Sequence, residues 1–136
     1  MARILVIDDD RAVSTVVLLL LERPGHEAVS ANDGKQGLEI LKRHEFDLLI
    51  IDIFMPGMDG FETIRAVRQN KPNMPFIVMS GAHNRPGPIP DFLHMATKLG
   101  AIASLRKPFT PQVLIATVTS RLGQSSEDRG RSSRPA

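Results

Sequence analysis

Leu48-Leu49-Ile50-Ile51-Asp52 sets four consecutive apolar residues directly before a carboxylate. A run this short and this apolar, with no polar alternation, reads as a strand buried on both faces, as in parallel sheets covered by helices. The pattern recurs along the chain. Ile4-Leu5-Val6-Ile7 runs into Asp8-Asp9-Asp10, Phe76-Ile77-Val78-Met79 into Ser80, and Ile102-Ala103-Ser104-Leu105 stops just before Lys107-Pro108. If these runs lie parallel, one sheet edge collects acids, a hydroxyl and an amine. Open α/β sheets place ligands at that edge, outside the carboxyl ends of the strands.

Working outward, each run is followed by a helical pattern. Asp10 can cap a helix in which Val13, Val16, Val17, Leu20 and Leu21 recur at helical spacing, stopped by Pro24-Gly25. Glu27 to Ala31 is a second short strand, and Asn32-Asp33-Gly34 turns into a helix from about Lys35 to His44 with Leu38, Ile40 and Leu41 inward. The third strand covers Asp47 to Asp52. Met55-Pro56-Gly57-Met58-Asp59-Gly60 specifies a tight loop, and a helix from about Phe61 to Asn70 buries Ile64, Val67 and Phe61. Pro86, Pro88 and Pro90 restrict the fourth helix to Asp91–Leu99. A fifth strand spans about Ala101 to Leu105, and Thr110-Pro111 starts a last helix reaching about Leu122.

The alternation βαβαβαβαβα predicts one α/β domain, doubly wound, with a five-stranded parallel sheet and helices on both faces. At 136 residues and 42% hydrophobic content the chain suits a single core. Its formal charge of +2 lies in the tail: residues 1 to 120 balance, whereas Arg121, Arg129, Arg131 and Arg134 face only Glu127 and Asp128. With no apolar periodicity after Leu122, the domain is expected at 1–122 and a disordered basic tail at 123–136. The absence of cysteine excludes disulfides and thiolate metal sites. The apolar stretch Val16 to Leu21 is too short to span a membrane, and no secretory signal is visible, so a cytoplasmic location without membrane contact is expected. Four arginines against two acids make a weak basic patch, and no nucleic-acid partner is expected.

Carboxylates that converge without a cation repel and raise one another's pKa, so a hard, oxygen-seeking ion such as Mg2+ is their natural counter-charge. A nearby lysine and hydroxyl then have an anion to bind. One acid suffices to cap a helix, and three stand at Asp8, Asp9 and Asp10. Taken singly, Ser80 reads as a hydroxyl satisfying local backbone and Lys107 as a surface amine. His26, His44, His83 and His94 have no ligand spacing.

Together the motifs Ile7-Asp8-Asp9-Asp10, Asp52 through Gly60, Met79-Ser80-Gly81-Ala82 and Lys107-Pro108-Phe109 give a chain that resembles a response-regulator receiver domain from Ile4 to about Leu122. The resemblance implies the flavodoxin-like strand order 2-1-3-4-5. It implies that Asp52 takes a phosphoryl group from a sensor histidine kinase or a histidine phosphotransfer protein. Asp9 and Asp52 would bind Mg2+ directly with the carbonyl of Phe54, and Asp8 mainly through water. Lys107 would pair with Asp52 and then with the phosphoryl oxygens, Ser80 would hydrogen-bond the phosphoryl group, and Gly81 would leave the site open. The bond before Pro108 would be cis, as is usual in the family.

Two departures bear on switching. Receivers usually carry Tyr or Phe at the position of Ser104, and the segment between Ser80 and Gly100 is proline-rich and a few residues longer than usual. On the first helix, Ala12 and Leu19 flank the buried face with Val16 at its border. That side is expected beside the Asp52 end and, by resemblance, docks the donor.

The function expected is a stand-alone signalling phosphoacceptor acting through a downstream protein target, not an enzyme. Two rival classes are an adaptor that works unphosphorylated and a Mg2+-dependent phosphatase with an aspartate nucleophile. The phosphatase would want a second aspartate two residues after Asp52, where Phe54 stands. A flavin-binding flavodoxin is disfavoured by acids that would repel the cofactor phosphate.

Overall fold

The computed structural model describes residues 1–54, 60–80 and 90–133, with only the backbone of residues 90–93 and 123–133. The elements alternate as β1 (Arg3–Ile7), α1 (Arg11–Glu22), β2 (Glu27–Ala31), α2 (Gly34–Arg43), β3 (Leu48–Asp52), α3 (Gly60–Asn70), β4 (Phe76–Ser80), α4 (Pro90–Lys98), β5 (Ala103–Arg106) and α5 (Pro111–Ser133). All pairings are parallel, in the order β2-β1-β3-β4-β5.

Apolar alternation explains the layering. Leu5, Ile7, Leu49, Ile51, Phe76 and Val78 point to one side and pack with Leu41 of α2, Ile64 and Val67 of α3 and Ala96 of α4. Ile4, Val6, Leu48, Ile50, Ile77 and Met79 point to the other, against Val17, Leu20 and Leu21 of α1 and Leu114 and Val118 of α5. The β3 and β4 strands are buried at every residue, as their unbroken apolar runs require. β2 and β5 lie at the edges and show mixed exposure.

The caps follow the predicted chemistry. Asp10 Oδ1 accepts from the N–H groups of Ala12 and Val13 at 3.0 and 3.3 Å. Thr110 Oγ1 accepts from Val113 N–H at 3.2 Å. Gly60 matters by lacking a side chain: a Cβ there would stand 2.6 Å from the carbonyl oxygen of Asp52, so only glycine lets α3 start against the end of β3.

Most boundaries fall within two residues of expectation, with two instructive shifts. β5 begins at Ala103 because Gly100, at φ +104, turns the chain between α4 and the sheet, and Ile102 N–H meets Phe76 O only at 2.9 Å beyond that turn. Arg68 secures the turn, donating from Nε and Nη2 to Leu99 O at 3.1 and 2.7 Å and from Nη1 to Pro72 O at 2.8 Å. The second is the end of α5: expected at about Leu122, the helical backbone runs to Ser133. Apolar periodicity governs packing, not backbone hydrogen bonding, and no proline interrupts the chain between Pro111 and Pro135. The tight loop at 55–59, the proline-rich segment and Gly81 at 81–89, and the last residues 134–136 lie outside the described residues.

Candidate functional site

The parallel sheet brings the ends of β1, β3, β4 and β5 to one edge. Asp8 follows β1, Asp52 and Ser80 close β3 and β4, and Lys107 follows β5. Carboxylate oxygens of Asp8, Asp9 and Asp52 all lie within 4.8 Å of one another. Lys107 Nζ stands between two of these acids, donating to Asp8 Oδ2 at 2.7 Å and to Asp52 Oδ2 at 2.9 Å. Beyond the expected pairing with Asp52, Lys107 makes its shorter bond to Asp8, a contact that depends on β1 and β5 lying in one sheet.

Each acid is held differently. Asp8 is fully buried, its Oδ1 accepting from Asp10 N–H at 2.9 Å. Asp52 is buried, its Oδ1 accepting from Phe54 N–H at 2.9 Å. Asp9 is exposed, at the mouth of the cluster. Phe54 thereby turns its N–H toward Asp52, and its half-buried ring packs against the α2–α4 side of the core.

The electrostatics follow from this burial. Desolvation raises the Asp52 carboxyl to about 6, against the pull of Phe54 N–H and Lys107, and the Asp8 charge adds to the rise. Asp9 is raised by desolvation and then by Asp8. For Lys107, burial works against the ammonium, but the hydrogen bonds and charges of Asp8 and Asp52 outweigh it and its pKa is raised. The lysine therefore stays charged, and an acidic cluster with one ammonium has room for a further cation. Three carboxylates offering hard oxygen donors fit a divalent ion such as Mg2+.

Ser80 is buried at the end of β4, and its Oγ has no hydrogen-bond partner among the described residues. An unsatisfied buried hydroxyl costs about 1–3 kcal/mol, which an incoming acceptor oxygen would recover. Ser104 is exposed on β5, in register with Val78 and on the same side of the sheet as Ser80. The Lys107–Pro108 bond is cis.

Beside the cluster runs a groove of about 620 Å3, lined by Ala12, Val13 and Val16 of α1 and by Lys107, Pro108 and Phe109 before α5. Leu19, grouped with Ala12 from the sequence, is 58% exposed but does not line it. Seven residues along a helix amount to about 10 Å, which carries Leu19 away from the acidic end. Two residues escaped the sequence reading: Ser14, buried on α1, and Arg68, which fastens α3 to the turn after α4. A serine within an apolar stripe was the available signal for the first; nothing local marked the second.

Known proteins share the sequence pattern and fold of this chain. The chain is 29% identical over 123 residues to the alkaline phosphatase synthesis transcriptional regulatory protein PhoP of Bacillus subtilis, covering 90% of this chain and 49% of that protein. It is 33% identical over 125 residues to the transcriptional regulatory protein CpxR of Escherichia coli, covering 92% and 51%. The chain thus spans about half the length of these relatives. Among solved structures, a response regulator receiver domain protein from Clostridium thermocellum superposes with a TM-score of 0.82 at 30% identity, covering 93% of this chain and 98% of that one. The response regulator receiver domain family model matches residues 4–119. By sequence, strand order and site geometry, the chain belongs to the response regulator receiver domain family of two-component signalling.

Proposed function

We propose that this chain is a phosphoacceptor of a two-component or phosphorelay pathway, marked at Asp52. The observation that carries the reading is the ammonium of Lys107 bridging Asp8 and Asp52 within a cluster of three carboxylates. A carboxylate oxygen of Asp52 attacks the phosphorus of a phosphohistidine as the P–N bond breaks, and the imidazole leaves. Such transfer needs positioning and charge neutralisation more than covalent help. Phe54 N–H and Lys107 orient Asp52, Lys107 meets the new charge on the phosphoryl oxygens, and Ser80 Oγ donates to one of them. Asp9, Asp52 and the Phe54 carbonyl would hold Mg2+ directly and Asp8 through water; the ion supplies charge neutralisation to the transferring group.

The donor is a sensor histidine kinase or a histidine phosphotransfer protein, docking at the groove beside α1 through Ala12 and Val16, with Leu19 a further exposed contact on the same helix outside the groove. Val16 is 53% exposed, an apolar residue available to a helical partner. Output passes to a downstream protein target, with Ser80 and Ser104 on the switching side. The proposed setting is the cytoplasm; among the described residues no helix is long and apolar enough to cross a membrane. The domain is assigned to residues 1–122. An adaptor acting without phosphorylation is the second reading, favoured by Ser104, which has no ring to move inward.

Labelling with acetyl phosphate or phosphoramidate, read by intact mass, tests the proposal. One phosphoryl group should be gained with Mg2+ and none with a chelator present. A protein that gains none under either condition would support the adaptor.

A further inference from the structure

Ser14 is a polar residue where the helix wants an apolar one. It shares the buried side of α1 with Val17 and Leu21 and is 5% exposed. A helical serine usually returns its hydroxyl to the carbonyl four residues back. Neighbouring Thr15 does so, with Oγ1 donating to Arg11 O at 2.8 Å, whereas Ser14 Oγ donates to Asp8 O at 3.4 Å. The Asp8 carbonyl belongs to the Asp8–Asp9 peptide. Asp8 N–H is held by Ala31 O at 3.1 Å, and Asp10 N–H by Asp8 Oδ1 at 2.9 Å. Asp9 therefore hangs between two fixed points, and Ser14 Oγ holds the carbonyl of the peptide that precedes it.

We propose that Ser14 is a positioning residue of the metal site: by holding the Asp8–Asp9 peptide it keeps the exposed Asp9 carboxylate within reach of Asp8 and Asp52. This rests on the reading of those three acids as the Mg2+ site. A purely structural serine is a poor alternative, because alanine fills the same space, has the higher helix propensity and buries no hydroxyl. The bond is long, so its effect belongs at the weak end of what supporting partners of metal ligands supply.

The test compares wild type, Ser14→Ala and Ser14→Thr by amide chemical shifts in metal-free protein, by Mg2+ titration and by thermal unfolding. Ser14→Ala should shift the Asp9 and Asp10 amides, weaken Mg2+ binding about tenfold and leave the unfolding midpoint unchanged or higher. Ser14→Thr, which keeps the hydroxyl, should stay near wild type. Unchanged Mg2+ affinity in Ser14→Ala would overturn the inference, as would affinity and stability falling together, or Ser14→Thr losing as much affinity as Ser14→Ala. A wild-type chain that binds no Mg2+ would instead sink the metal-site reading, and the metal-free amide shifts would still report whether Ser14 orients the peptide.

Discussion

Lys107 donates to Asp8 at 2.7 Å, joining residues 99 positions apart and forming the shorter of its two ion pairs. The fully buried Asp8 thus depends on the residue after β5 for its counter-charge. Removing one partner of a buried pair leaves an uncompensated charge. Lys107→Ala should therefore destabilise the fold by roughly 2–3 kcal/mol at neutral pH, discounted for the lysine's residual exposure. Mg2+ should restore part of that loss. Slow phosphorylation of Asp52 should survive, while the amide-shift response to it should shrink. Denaturant titrations with and without Mg2+ decide the first point, and a variant as stable as wild type in both would contradict it.

Asp52→Asn should abolish labelling, because an amide is a poor nucleophile, and should also stabilise the protein. Burial raises the Asp52 carboxyl from its ordinary 3.8 to about 6. The folded state then binds more protons than the unfolded chain between those values. This group's contribution falls as pH rises through that window and stays unfavourable above it. The wild type should be the less stable by about 1–3 kcal/mol at pH 7, with the gap closing toward pH 4. A constant gap across that range would show that the carboxylate is not strained by burial.

Asp9 and Asp8 should separate in opposite directions. Asp9 is exposed at the mouth, so Asp9→Ala should weaken Mg2+ binding strongly with little effect on stability. Asp8 anchors Lys107 and accepts from Asp10 N–H, so Asp8→Ala should cost stability and reduce metal affinity less. Calorimetric Mg2+ titration beside thermal unfolding reads both quantities. Equal metal affinities in the two variants would remove the distinction.

Docking is tested on α1. Val16 and Leu19 are exposed, so replacing either with Glu should change stability by less than about 0.5 kcal/mol. Val16→Glu, in the groove, should slow transfer from the cognate phosphohistidine protein more than Leu19→Glu, with small-molecule labelling unchanged in both. Loss of both reactions would indicate misfolding, and unaltered donor transfer would move the docking surface elsewhere.

Ser80→Ala removes a buried hydroxyl that has no partner among the described residues, so stability should hold or rise by about 1 kcal/mol while phosphorylation-induced amide shifts diminish. Ser104→Tyr should enlarge those shifts near β5. Identical spectra for parent and Ser104→Tyr would route the switch through other residues.

The sequence by itself determined the class of fold and which polar residues stand at the carboxyl ends of its strands. Unbroken apolar runs of four or five residues are too short for buried helices and read as buried strands, and the helices between them favour parallel crossovers, which gathers Asp8, Asp52, Ser80 and Lys107 at one edge. The acids and amine, at strand ends, carried their own chemistry. Tertiary structure alone decided which atoms pair. Lys107 turning to Asp8 as well as Asp52 and Arg68 closing on Leu99 are contacts between distant segments, and no local pattern encodes their distances. The helix beyond Leu122 shows the converse limit: apolar periodicity marks where a helix packs, and backbone hydrogen bonding continues past it.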